Sequence, residues 1–213
     1  MLFVPPSAVA DSYAPLDLKE LGGDDRVGGA ERFKTVVDAL EREHGINPLV
    51  LFSGDFVAPS LVSTFTFGRH MVEIFNLLGV HYGCFGNHEL DHGLEPGTDG
   101  RGLKAILNAH TDVDADGRAR AYYPPSRTRW ICSNLQEANG EPLAGAVRTE
   151  VVNWHSSPTG DGGDAVRVGL FSIVYDFRGR ANKHNLVPLL LAALLPSTPR
   201  CRFSAVPPSQ AAC

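Results

Sequence analysis

Apolar positions along the chain recur with two periods. In "GGAERFKTVVDALEREHG" (28–45), Phe33, Val36, Val37 and Leu40 fall at i, i+3, i+4 and i+7, which predicts an amphipathic helix. Gly45 marks its end and Pro48 follows shortly after. "PLVLF" (48–52) is wholly apolar and runs into Ser53-Gly54-Asp55, the pattern of a buried strand closing in a turn. Met71, Ile74, Phe75 and Leu78 repeat the helical stripe, with Gly79 as the stop. "VHYGCF" (80–85) predicts a second strand and opens directly onto "GNHELDHG" (86–93). "GLKAILNAH" (102–110) reads as a third helix, "WICSNL" (130–135) as a third strand with Ser133-Asn134 at its polar end, and "VRVGLFSIVY" (166–175) as a fourth strand. The stretches 94–102 and 111–120 are rich in Gly and polar residues and read as surface loops. "SSPTGDGGDA" (156–165) reads as a flexible connection.

Strands alternating with helices imply an α/β fold, a sheet with helical cover. In such sheets ligands collect at the carboxyl ends of strands. Asp55, Asn87-His88 and Asn134 all fall at predicted strand ends. The alternation extends over 9–178, and the segment 179–213 reads as a separate low-order tail. From Arg178 onward the chain carries five prolines and much Ala, Ser, Leu and Arg, which break any long helix.

Composition narrows the function. The chain has 213 residues, 43% hydrophobic and 20% charged, with a formal net charge of −5 and no long Lys/Arg run. That balance suits a globular enzyme-sized domain and argues against nucleic acid or a membrane surface as partner. Phosphate chemistry in such a protein needs metal ions to attract the anion. Of the four cysteines, Cys84 and Cys132 lie inside apolar runs and are expected to be buried thiols, with no CxxC pair to suggest a zinc-thiolate site. The first residues, "MLFVPPSAVADSY", lack the basic start of a secretory signal, and the longest apolar run, 186–195, is about half a membrane span. A cytoplasmic, reducing compartment is the expectation.

The chemistry concentrates in "FGNHELDHG" (85–93), where Asn87, His88, Glu89, Asp91 and His92 crowd between glycines. A strand-end carboxylate can bridge two metals, an Asn carbonyl adds a neutral oxygen ligand, and a His supplies a nitrogen ligand or a proton. The plainer readings compete with these roles. Asp55 could cap its turn, Asp91 could be a helix N-cap, and Asn134 could bond loop backbone instead of lining a site. Glu89 and His92 read as structural or solvated, and His81 as a core or sheet-face residue.

"SGDF" (53–56) followed by "GNHELDHG" resembles the signature of the calcineurin-like metallophosphoesterases, and the GNHExDxG spacing resembles their 5'-nucleotidase branch. "VGGAERF" (27–33) and "VRVGLFSIV" (166–174) resemble further segments of that branch, so the likeness spans about residues 9–177. GNHE alone would arise by chance in such a chain about once in a thousand. The resemblance implies the N-terminal part of a β-sandwich flanked by helices and a metal-dependent phosphoric monoester hydrolase acting on nucleotides. It also implies two divalent ions, for which Mn, Zn, Fe and Mg are equally suited. Asp55 would bridge the two metals and Asn87 would bind the second. His88 would be the catalytic histidine and Asp91 its partner. Asp11, in "DSY" (11–13), would be a ligand of the first motif, with Tyr13 where many members have histidine.

The chain departs from the family downstream. A further metal-binding histidine and a Gly-His-x-His segment are expected after "SIVYDF", yet His110, His155 and His184 are the only later histidines and none stands in that context. A truncated, catalytically inactive relative with weak metal binding is therefore the alternative expectation.

Overall fold

The computed structural model describes residues 2–4, 29–97, 100–113, 115–159, 165–174 and 189–195. The first stripe forms helix α1, Ala30–His44, and Gly45 closes it in the left-handed conformation (φ 61°). The Gly45 and Ile46 amides bond back to Glu41 and Leu40, the helix end that a C′ glycine permits. Only part of the stripe is used: Val37 is buried, Phe33 packs against the core, and Val36 is 53% exposed. The second stripe holds throughout. Helix α3, Arg69–Leu78, buries Met71, Ile74, Phe75 and Leu78 and stops at Gly79 (φ 71°).

These helices cover a four-stranded parallel sheet of β1 (Leu2–Val4), β2 (Val50–Phe52), β3 (Tyr82–Cys84) and β6 (Arg129–Ile131), in that spatial order. Parallel neighbours need helical crossovers. A short helix α2 (Leu61–Thr66) and α3 connect β2 to β3, while helix α4 (Leu103–Leu107) lies between β3 and β6 in the chain. Side chains of the strands alternate between two cores. Val50, Phe52 and Trp130 join Val72, Phe75 and Leu78 of α3 and Leu103 and Ile106 of α4. Leu51, Cys84 and Ile131 point the other way, onto Val168 and Leu170 of strand β8 (Val166–Ile173). β8 is the middle of an antiparallel sheet between β7 (Thr149–Trp154) and β9 (Leu189–Leu195). Leu189–Leu195 lies within the segment read from sequence as a tail, and here it pairs with β8 from Arg167↔Leu195 to Ile173↔Leu189.

Four further elements differ from the sequence reading. The stretch 111–120, expected as loop, contributes to a hairpin of β4 (His110–Val113) and β5 (Ala119–Tyr123). Its residues are mostly exposed, so backbone pairing carries it and no apolar alternation announces it. β7 alternates only between exposed and half-buried positions, too weak a pattern to separate from loop. α2 is six residues long and rests on a capping box between Ser60 and Ser63, not on an apolar face. The architecture is thus mixed α/β with small sheets. Cys84 and Cys132 are free, buried thiols, as expected, and burial pushes both pKa values up. Among the described residues no helix is long and apolar enough to cross a membrane.

Candidate functional site

β2 and β3 are adjacent and parallel, so the segments leaving their carboxyl ends share one rim of the sheet. Both segments are rooted in the same ring. Phe56, after Asp55, and Phe85, before Gly86, each stack on Trp130 of β6, with centroids 5.0 and 5.1 Å from it. Trp130 is itself fixed by donating its indole N–H to Ser126 Oγ (3.0 Å).

The first segment turns sharply. Gly54 (φ 99°) and Asp55 (φ 67°) both lie in the left-handed region, which glycine takes freely and aspartate tolerates. The second segment presses against it. A Cβ on Gly86 would overlap the Asp55 carboxylate and approach the Asp55 nitrogen to 2.8 Å, so only glycine allows the two to meet. Asp55 Oδ1 accepts the His88 amide at 3.1 Å. His88 opens a single 3-10 turn, His88–Leu90, with half-buried Asn87 just ahead of it capping nothing with its side chain.

In that turn, positions three apart face one another, and His88 Nδ1 lies 2.7 Å from Asp91 Oδ2. A carboxylate only accepts, so Nδ1 carries the proton and Nε2 is the nitrogen left to a reactant. The His88 and Asp91 side chains are 33% and 41% exposed, open to a ligand arriving from solvent. Of the predicted site residues, Asp55, Asn87, His88 and Asp91 are therefore brought to one rim. Asp11 and Tyr13 lie outside the described residues.

Glu89 is the residue sequence reasoning underrated. It is fully buried (0% exposed) and accepts the Phe56 amide at 2.5 Å and the Gly86 amide as well. Burial, with the nearby Asp55 charge, pushes its pKa up to about 7, against the pull of the amides of Phe56, Gly86 and Asp55. Its separation of three residues from Gly86 was the one available signal, since a carboxylate so placed can reach back to a turn amide.

Asn134 stands at the third strand end and takes its plainer role. Its amide donates to Val174 O (2.5 Å) and accepts from Val174 N (2.9 Å), splicing the end of β8 to the end of β6. Beside it, Ser133 Oγ accepts the Ser172 amide at 2.9 Å. His81, just before the interior strand β3, accepts the Val50 amide on Nδ1 (3.2 Å) and packs on Trp154, so it is a sheet-face residue with its pKa lowered by burial. His92 packs edge-on against Phe67 with centroids 5.3 Å apart.

Among the described residues no group of three or more His, Cys, Asp or Glu is arranged to hold a metal ion. The donors at the rim are nevertheless of the right kind for a hard divalent cation. Asp55 has one oxygen committed to the His88 amide and a second oxygen beside it, Asn87 offers an amide oxygen, and His88 offers Nε2. No family model matches the chain, and no curated protein or solved structure matches it.

Proposed function

We propose that this chain is a metal-dependent phosphoric monoester hydrolase of the 5'-nucleotidase type, built on the N-terminal part of a metallophosphoesterase β-sandwich and acting on nucleotides. The observation that carries the reading is the convergence of Asp55 with the His88–Asp91 pair at the carboxyl ends of two neighbouring parallel strands. In this reading Asp55 and Asn87, with Asp11 as the family resemblance implies, would hold two divalent ions, and the ions would supply charge neutralisation at the phosphoryl oxygens. His88 would turn Nε2 toward the leaving oxygen and, as the imidazolium, deliver a proton there, while the Asp91 carboxylate holds Nδ1–H and orients the ring. Gly86 keeps a side chain out of the space where the two loops meet, and Gly54 takes the φ of 99° that the sharp turn needs.

The second reading is a catalytically inactive relative with weak metal binding. The sequence favours it in one respect, since residues 178–213, directly after "SIVYDF", hold no Gly-His-x-His segment. Hydrolysis of a nucleoside monophosphate in Mn²⁺, measured beside Asp55→Asn and His88→Asn, separates the two. Turnover that both substitutions abolish is the expected result. Turnover equal in all three proteins, or none in any, would overturn the hydrolase reading.

A further inference from the structure

The two loops of the candidate site exchange carboxylates. Asp55, in the loop after β2, accepts the His88 amide of the loop after β3 (3.1 Å). Glu89, in the loop after β3, accepts the Phe56 amide of the loop after β2 (2.5 Å) and, with its other oxygen, the amide of Gly86. We infer that Glu89 is a positioning residue, one half of a reciprocal carboxylate–amide clasp that sets where Asp55 stands relative to His88. This rests on the reading of Asp55 and His88 as metal ligand and proton donor.

Three features point to positioning and not to packing alone. The Phe56 amide belongs to the peptide plane that follows Asp55, so holding it fixes the ψ angle of Asp55, whose φ of 67° is already an uncommon one. The Gly86 amide belongs to the plane that follows Phe85, so the same side chain fixes the point where the chain leaves β3. Finally, Glu89 is fully buried although a carboxylate is a costly group to desolvate. An apolar side chain would fill the volume, but only a two-oxygen acceptor of this length holds an amide from each loop at once.

The test compares the full-length wild-type chain with Glu89→Gln, which loses one acceptor oxygen, and Glu89→Asp, which keeps the charge but is one methylene short. Amide hydrogen exchange is read at His88, with the β8 amides of Val168 and Leu170 as internal reference. Mn²⁺ affinity and the kcat and KM for a nucleoside monophosphate are read in parallel. We expect His88 exchange to quicken about tenfold in both variants while the β8 amides keep their protection. Mn²⁺ affinity should weaken by about ten- to hundredfold, and kcat should fall with KM little changed.

Unchanged His88 exchange in the variants would overturn the clasp, even if the melting temperature fell. So would full rescue by Glu89→Asp, because charge and not reach would then be at work. If Glu89→Gln does not fold, the wild-type protein still decides. The Phe56 and Gly86 amides must be among the slowest to exchange in their loops, and fast exchange there refutes the inference. A wild-type chain that binds no Mn²⁺ fails the hydrolase reading alone, because the exchange measurement does not depend on metal.

Discussion

Gly86→Ala is the sharpest test of the rim geometry, because Gly93, in the same stretch of chain, provides its control. The two glycines are required for opposite reasons. At Gly86 φ is ordinary, but a Cβ would overlap the Asp55 carboxylate and lie 2.8 Å from the Asp55 nitrogen. At Gly93 nothing lies within 4 Å of the added atom, but φ is +84°. Overpacking against backbone costs ~1–3 kcal/mol. Pushing Asp55 aside also strains its bond to the His88 amide, a charge-assisted bond worth ~1.5–3 kcal/mol when buried and less at this half-exposed site. Together these come to about 3 kcal/mol for Gly86→Ala. Gly93→Ala costs ~1 kcal/mol of conformational strain. In a chain of this length each kcal/mol moves the melting temperature by about 2–4 °C. Calorimetry or circular dichroism should therefore show a drop of about 6–12 °C for Gly86→Ala and about 2–4 °C for Gly93→Ala. Only Gly86→Ala should also weaken Mn²⁺ binding, because only it displaces Asp55. Equal destabilisation by the two substitutions would refute the close approach of the two loops, and a Gly86→Ala protein that binds Mn²⁺ as tightly as wild type would refute Asp55 as a metal ligand.

Other consequences can be checked with the same assays. Trp130→Ala removes the ring beneath both Phe56 and Phe85 and should destabilise by ~3–5 kcal/mol, with site-loop amides losing protection before those of β8. Asn134→Ala breaks both bonds to Val174 and should cost ~1–2 kcal/mol without changing Mn²⁺ affinity, since both polar atoms of its side chain are committed to Val174. The pH dependence of stability should show two opposed contributions. Glu89 is raised from 4.5 to about 7, so the folded state binds its proton more tightly and the stability this confers is lost as pH rises from about 4.5 through 7. His70 is lowered from 6.5 to about 4 by burial, so its contribution is present above 6.5 and lost as pH falls toward 4. Melting curves should accordingly show Glu89→Gln with a steeper loss of stability on acidification than wild type, and His70→Gln with a shallower one. Parallel profiles for all three proteins would contradict both assignments.

What the sequence made legible follows from how each element is stabilised. α3 and the strands β2, β3, β6 and β8 are held by buried apolar side chains, and their periods could be read directly. α1 was legible in extent but not in burial, because it covers the core with Val37 and Phe33 while Val36 faces water. The hairpin of β4 and β5 and the outer strand β7 were not legible, since their pairing is made by backbone groups common to every residue. Asn134 was legible as a strand-end side chain, but both of its candidate roles began from the same position, and only its distance to Val174 separates them.

The site divides along the same line. His88 and Asp91 are three residues apart in a single turn, so their contact is local and their spacing announces it. Glu89 and Gly86 are also three apart, and that bond too is local. The contacts that make these pieces one site, Glu89 to the Phe56 amide and Asp55 to the His88 amide, both span 33 positions. No spacing in the sequence reports them, because they exist only when β2 and β3 lie side by side with the register Leu51↔Tyr82. A shift of that register by one residue would turn every strand side chain to the opposite core. The alternation of Val50 and Phe52 into one core and Leu51 into the other therefore does more than stabilise the sheet. It holds the register that sets Asp55 against His88, and so the geometry of the rim is specified by apolar residues buried in the two cores.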